Sequence, residues 1–208
     1  MMRSIALCIA VAVAGGCGGS DDDHAGDHGD APADDAAPGD HDAAPGDDDG
    51  GLPATCESYC TLITEACVDR MRQYYDHAEC LTTCALFAPG EPDDDAGNSL
   101  SCRLYHAELA QDDPDPHCYH AGPSGGHAGV CGTACENYCA IMLPTCPEEY
   151  ADQADCLGVC AGFPDPGPYS VFESRTDTVA CRIFHATRAT SDDGHCGTAS
   201  ADSSTCSE

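Results

Sequence analysis

Residues 56–67 read CESYCTLITEAC and residues 135–146 read CENYCAIMLPTC. In the first, Cys56, Cys60, Ile63 and Cys67 are spaced four, three and four apart, which places them on one face of a helix. Cys135, Cys139, Met142 and Cys146 repeat that stripe. Each stretch is followed by a second Cys-x3-Cys, Cys80 with Cys84 and Cys156 with Cys160, again on one helical face. Asp76 to Glu79 and Thr133 to Glu136 have the form of capping boxes, which start helices by satisfying their first free amides. Pro144 is expected to shorten the first helix of the second set.

Working outward, the repeat takes in eight cysteines per copy. Cys56, Cys60, Cys67, Cys80, Cys84, Cys102, Cys118 and Cys131 recur as Cys135, Cys139, Cys146, Cys156, Cys160, Cys181, Cys196 and Cys206. Tyr59 returns as Tyr138 and Leu81 as Leu157. The segment Cys102-Arg103-Leu104-Tyr105-His106-Ala107 returns as Cys181-Arg182-Ile183-Phe184-His185-Ala186, and His117-Cys118 as His195-Cys196. A duplication with helical spacing predicts an all-α, disulfide-rich chain of two tandem three-helix modules, the third helix starting near Ser99 or Thr178. The domain reading is 1–16 signal peptide, 17–54 anchor cysteine and disordered acidic linker, 55–131 first copy and 132–208 second copy.

Facing pairs on antiparallel helices suggest Cys56 to Cys84 and Cys60 to Cys80, then Cys135 to Cys160 and Cys139 to Cys156. The arrangement resembles the twin Cys-x3-Cys hairpin of small mitochondrial translocase chaperones in that local motif alone. Cys67 to Cys102 and Cys146 to Cys181 would then pin the third helix, with Cys118 to Cys131 and Cys196 to Cys206 closing the ends. Eight cysteines allow about a hundred pairings, so this is one assignment among many. Each copy offers few apolar residues, and a domain of such size needs covalent support.

The first twenty residues give an address. Arg3 precedes a short apolar run, Ser4 to Ala14, and Ala14-Gly15-Gly16 precedes Cys17. That is the layout of a secretory signal, and the run is too short to span a bilayer. The small triplet and cysteine resemble the lipobox of bacterial lipoproteins, although Ala14 stands where that motif carries leucine. The resemblance implies an acylated Cys17 and, because Gly18 rather than aspartate follows, the outer membrane of a Gram-negative envelope. From Gly18 to Ala54 the chain is mostly Asp, Ala, Gly, Pro and His, and is expected to be a disordered spacer. Disulfides persist in oxidising compartments, so export and cysteine content agree.

A formal charge of −30 with no lysine opposes binding to nucleic acid or anionic headgroups. It also removes the phosphate-loop lysine and Schiff-base chemistry. No HExxH or Cys-x2-Cys is present, and the run Gly122-Pro123-Ser124-Gly125-Gly126, although it has the Gly-x-Ser-x-Gly spacing, reads as a glycine-rich loop. A non-enzymatic module without cofactor, tethered by lipid and presented to an envelope or extracellular protein, is therefore expected. Across 56–206 the chain is similar to tandem cysteine-rich lipoproteins of the myxobacterial type, a group whose function is unknown.

Two polar sets remain. Arg103 and Arg182 are expected to pair with carboxylates, and His106 and His185 to donate hydrogen bonds within the packing. The alternative is a zinc or copper site on His106, His117 and His120, with His127 near, restricted to the first copy because the second keeps only His185 and His195.

Overall fold

The computed structural model describes residues 54–165 and 167–207. The signal segment, Cys17 and the acidic linker lie outside these residues, apart from the linker's last position.

Helix α1, Cys56–Ala66, begins at Thr55, whose hydroxyl accepts from the Ser58 amide at 3.1 Å, while Ser58 Oγ accepts from the Thr55 amide at 3.2 Å. Helix α2, His77–Cys84, is capped by Asp76, and α3, Leu100–Leu109, by Ser99. Helix α4, Pro114–Ala121, follows with a kink at Asp115. The second copy repeats the order in α5 (Ala134–Thr145), α6 (Gln153–Cys160), α7 (Val179–Ala189) and the single turn α8 (Cys196–Ala199). Thr133, Asp152 and Thr178 cap α5, α6 and α7 by accepting a backbone amide three residues on. No strand occurs among the described residues.

Two expectations about the helices are corrected. Each copy has a fourth helical element, α4 or α8, and in the first copy Pro114 fits the opening turn, where no backbone partner is lost. Pro144 does not shorten α5, which runs to Thr145 and is one residue longer than α1. A proline in the last turn forfeits one donor while the cap still closes from the Cys146 amide to Met142 O.

Covalent closure sets the packing. Cys56 joins Cys84 and Cys60 joins Cys80, with Cα atoms 5.6 and 5.7 Å apart, so α1 and α2 are bolted as a hairpin. Cys135 to Cys160 and Cys139 to Cys156 do the same for α5 and α6. The other four bonds differ from the expected ones. Cys67 is joined to Cys118 and Cys102 to Cys131, in place of Cys67 to Cys102 and Cys118 to Cys131. Cys146 is joined to Cys196 and Cys181 to Cys206, in place of Cys146 to Cys181 and Cys196 to Cys206.

The physical reason is the added helix. Helix α4 brings Cys118 to the end of α1, whereas Cys102 sits in the first turn of α3, its sulfur 3.7 Å from the Val130 carbonyl beside Cys131. A bond spanning 51 positions, such as Cys67 to Cys118, removes about 4 kcal/mol of unfolded-chain freedom in the loop-entropy account.

The core of each copy is built round one tyrosine. Tyr59 is fully buried, donates to the Ala121 carbonyl at 2.7 Å, and shares a 2.8 Å hydroxyl contact with Tyr74. Its ring meets those of Tyr74 and Phe87 edge-on. Tyr138 does the same with the Ala199 carbonyl, Tyr150 and Phe163. The carbonyl at the end of a helix has no partner within it, so each tyrosine ties α1 or α5 to the last residue of α4 or α8. Burial raises the pKa of both phenols, which keeps them protonated as donors.

The copies lie in one compact unit. The Val171 amide donates to Arg72 O at 3.0 Å and Gln73 Nε2 to Tyr169 O at 3.1 Å. Arg188 on α7 reaches Glu79 on α2 at 3.4 Å and stacks over Tyr75. Burial raises the Glu79 carboxyl above its ordinary value, and Arg188 opposes that shift.

Replacing Tyr59 by Phe leaves the Ala121 carbonyl and the Tyr74 hydroxyl without this partner. Tyr59→Phe is expected to lower stability by about 1–3 kcal/mol, measured by denaturant unfolding of the oxidised protein.

Candidate functional site

Helix α3 and its counterpart α7 carry the polar residues shared by both copies. Arg103 is fully buried, and its expected carboxylate partner is absent among the described residues. Its guanidinium donates to Ser99 O (2.8 Å), Asn98 Oδ1 (3.0 Å), Cys131 O (3.2 Å) and Asn137 Oδ1, and lies 3.9 Å over the Phe87 ring. Asn137 belongs to α5, and its amide nitrogen donates in turn to Cys131 O and Gly132 O. Arg103 is thus the polar joint between copies. Gly132 serves that joint at φ +86°, where a β-carbon would stand 2.8 Å from the Asn98 side chain.

Arg182 does find a carboxylate. It pairs with Asp177 at 3.1 Å, donates to Thr178 O, and stacks over Phe163 at 3.9 Å. Asp177 stands where the first copy has Asn98, and no counterpart of Asn137 reaches Arg182 among the described residues. Burial lowers the Arg103 pKa from its ordinary value, with Tyr59 and Tyr74 opposing the shift.

His106 lies one turn beyond Cys102 on α3. Its Nε2 is 3.1 Å from the Asp95 carbonyl, which only accepts, so Nε2 carries the proton. In the neutral ring Nδ1 then presents its lone pair, and Nδ1 of His117 on α4 meets it at 2.9 Å as donor. The two rings stack at 5.2 Å and 21°. His120, one turn along α4 from His117, stands edge-on to both at 4.8 and 5.9 Å. Its Nδ1 is buried and finds no hydrogen-bond partner among the described residues.

Gly126, at φ +83°, packs against His120 so closely that a β-carbon would stand 2.5 Å from Cδ2. One nitrogen from each of His106, His117 and His120 lies within 4.8 Å of the other two, so these residues could hold a metal ion. Burial lowers the pKa of His106 and of His120, which favours the neutral ring. His127 is elsewhere, exposed and 3.5 Å from Asp165.

The second copy keeps the histidine pair. His185 Nε2 is 3.2 Å from the Ser174 carbonyl and its Nδ1 is 3.0 Å from His195 Nδ1, with the rings again stacked. Sequence reasoning named His185 and His195 without joining them. The signal was available, since His106 with His117 and His185 with His195 recur at matching positions. Thr198 takes the place of His120. Cys102, His106 and Cys131, and likewise Cys181, His185 and Cys206, also converge, but their sulfurs are bonded to each other and offer no thiolate.

The Arg103 arrangement demands a planar, forked donor that also stacks. Arg103→Lys is expected to cost on the order of 3 kcal/mol in chemical unfolding with disulfides intact. Arg182→Lys is expected to cost less, since an ammonium retains the pair with the half-exposed Asp177.

Comparison with known proteins gives a family match over the first copy. Residues 53–135 match the family model described as the BfoA family C-terminal domain. The chain is 35% identical over 68 residues to Aurasperone B biosynthesis cluster protein A of Aspergillus niger, with the same match in each of two strains. That alignment covers 32% of this chain and 22% of the fungal protein, so the matched part spans about a fifth of that relative. No solved structure matches. The matched segment holds all eight cysteines of the first copy, Arg103 and the three converging histidines, and it is this stapled unit that resembles the BfoA C-terminal domain.

Proposed function

We propose that this chain is an exported, non-enzymatic protein, tethered by lipid at Cys17, whose two stapled copies act as one rigid acidic body offered to a protein partner at the cell envelope. The observation that carries the reading is the closure of all sixteen cysteines between Cys56 and Cys206 into eight disulfides. Such bonds are kept outside reducing compartments, which accords with a leader whose small residues precede Cys17. With the sulfurs paired, no thiol in this region serves as nucleophile or redox centre.

The other shared polar groups are used within the packing of each copy, and Arg103 also at the joint between them. Arg103 and Arg182 are consumed by helix-start oxygens and aromatic faces, and the tyrosine hydroxyls by helix-end carbonyls. Association by the acidic surface of a chain whose formal charge is −30 would draw on a basic partner, fall steeply with salt, and avoid polyanions.

Intact mass of the protein isolated from its source cells tests the reading. The expected species begins at Cys17, carries acyl chains there, and is lighter by sixteen hydrogens than its reduced form. A species that retains residues 1–16, or whose cysteines titrate as free thiols under denaturing conditions without reductant, would overturn it.

A further inference from the structure

We propose that His106, His117 and His120 form a mononuclear site for an imidazole-preferring divalent transition metal, zinc or copper(II), in the first copy only. The site goes beyond the presenting role above and does not depend on it.

The donors are of one kind and come from two helices fixed to different anchors. His106 is on α3, held by Cys102 to Cys131; His117 and His120 flank Cys118 on α4, held by Cys67 to Cys118. Three imidazoles within 4.8 Å, on helices each tied by a disulfide to another part of the copy, form a largely preorganised ligand set. His106 has the outer partner that metal-bound histidines characteristically have, a backbone carbonyl accepting from the far ring nitrogen. This fixes the ring and turns the Nδ1 lone pair inward.

His120 supplies the independent sign. Its buried Nδ1 lacks a hydrogen-bond partner, which is costly for a polar atom in a purely structural role, and Gly126 leaves room for the ring where any side chain would displace it. Copy two isolates the same point. There the His185 to His195 pair forms with nearly the same distances, so the pair by itself is scaffold, and the third imidazole is the addition that turns scaffold into a site.

Metal entry needs modest movement. Tetrahedral bonds of about 2.0–2.1 Å set ligand nitrogens roughly 3.3 Å apart. The 2.9 Å contact between His106 and His117 must therefore open by a few tenths of an ångström, and His120 must draw in. His117, half-exposed, gives up its Nδ1 proton to solvent and takes one at Nε2, so the ring stays neutral and binds through Nδ1. Three imidazoles leave a fourth position for water.

The test uses the oxidised full chain, stripped with chelator and then dialysed against zinc or copper(II) with elemental analysis. A variant with His24, His28 and His41 changed to Ala removes loose binding by the acidic linker. In that background one equivalent per chain is expected. His120→Ala is expected to weaken binding on the order of 100-fold, while His127→Ala and His195→Ala leave it unchanged. Thr198→His is expected to add a second equivalent in copy two, a gain that misfolding cannot mimic. Less than one equivalent in the parent, equal losses in His120→Ala and His127→Ala, or no second equivalent with Thr198→His would each overturn the assignment.

Discussion

The covalent bolting of two Cys-x3-Cys helices against each other is the constraint on which the rest depends. Cys60 and Cys80 are buried beside Tyr59, and Cys139 and Cys156 beside Tyr138, so the inner staple of each hairpin is also part of its apolar core. The remaining core is thin and rich in alanine, cysteine and tyrosine. Helices of eight to twelve residues are marginal alone, and these are held by cross-links and by tyrosine hydroxyls that reach helix-end carbonyls.

Once the hairpins are fixed, polar groups determine how the two copies meet. Arg103 takes up oxygen atoms from its own helix start, from the turn before α5, and from Asn137 on α5, with no compensating carboxylate among the described residues. Glu79 and Arg188 supply the charged contact between α2 and α7. In the second copy Asp177 provides for Arg182 what Asn137 on a neighbouring helix provides for Arg103. The duplication is thus adapted at its joint, and the histidines follow the same logic: a pair retained in both copies and a third ring added in one.

Much of the helical framework was legible because helical period and capping chemistry are local. The stripe Cys56, Cys60, Ile63, Cys67 and the caps Thr133, Asp76, Ser99 and Thr178 all sit within a few residues of the feature they specify. Helix α4 was not legible, since Pro114 and Pro116 among aspartates resemble a linker and the helix depends on Cys67 and Tyr59 from far away in sequence. For the same reason only the hairpin bonds followed from spacing; which sulfur meets Cys67 depends on where α4 lies. The histidines were visible as candidates, but their stacking, the role of the Asp95 carbonyl and the exclusion of His127 are tertiary facts.

Peptide mapping of the oxidised protein, digested at low pH to prevent exchange, tests the central claim most directly. The account predicts fragments linking Cys67 to Cys118, Cys102 to Cys131, Cys146 to Cys196 and Cys181 to Cys206, alongside the two hairpin pairs in each copy. Fragments linking Cys67 to Cys102 or Cys118 to Cys131, or any of the sixteen recovered as an alkylated thiol, would contradict it.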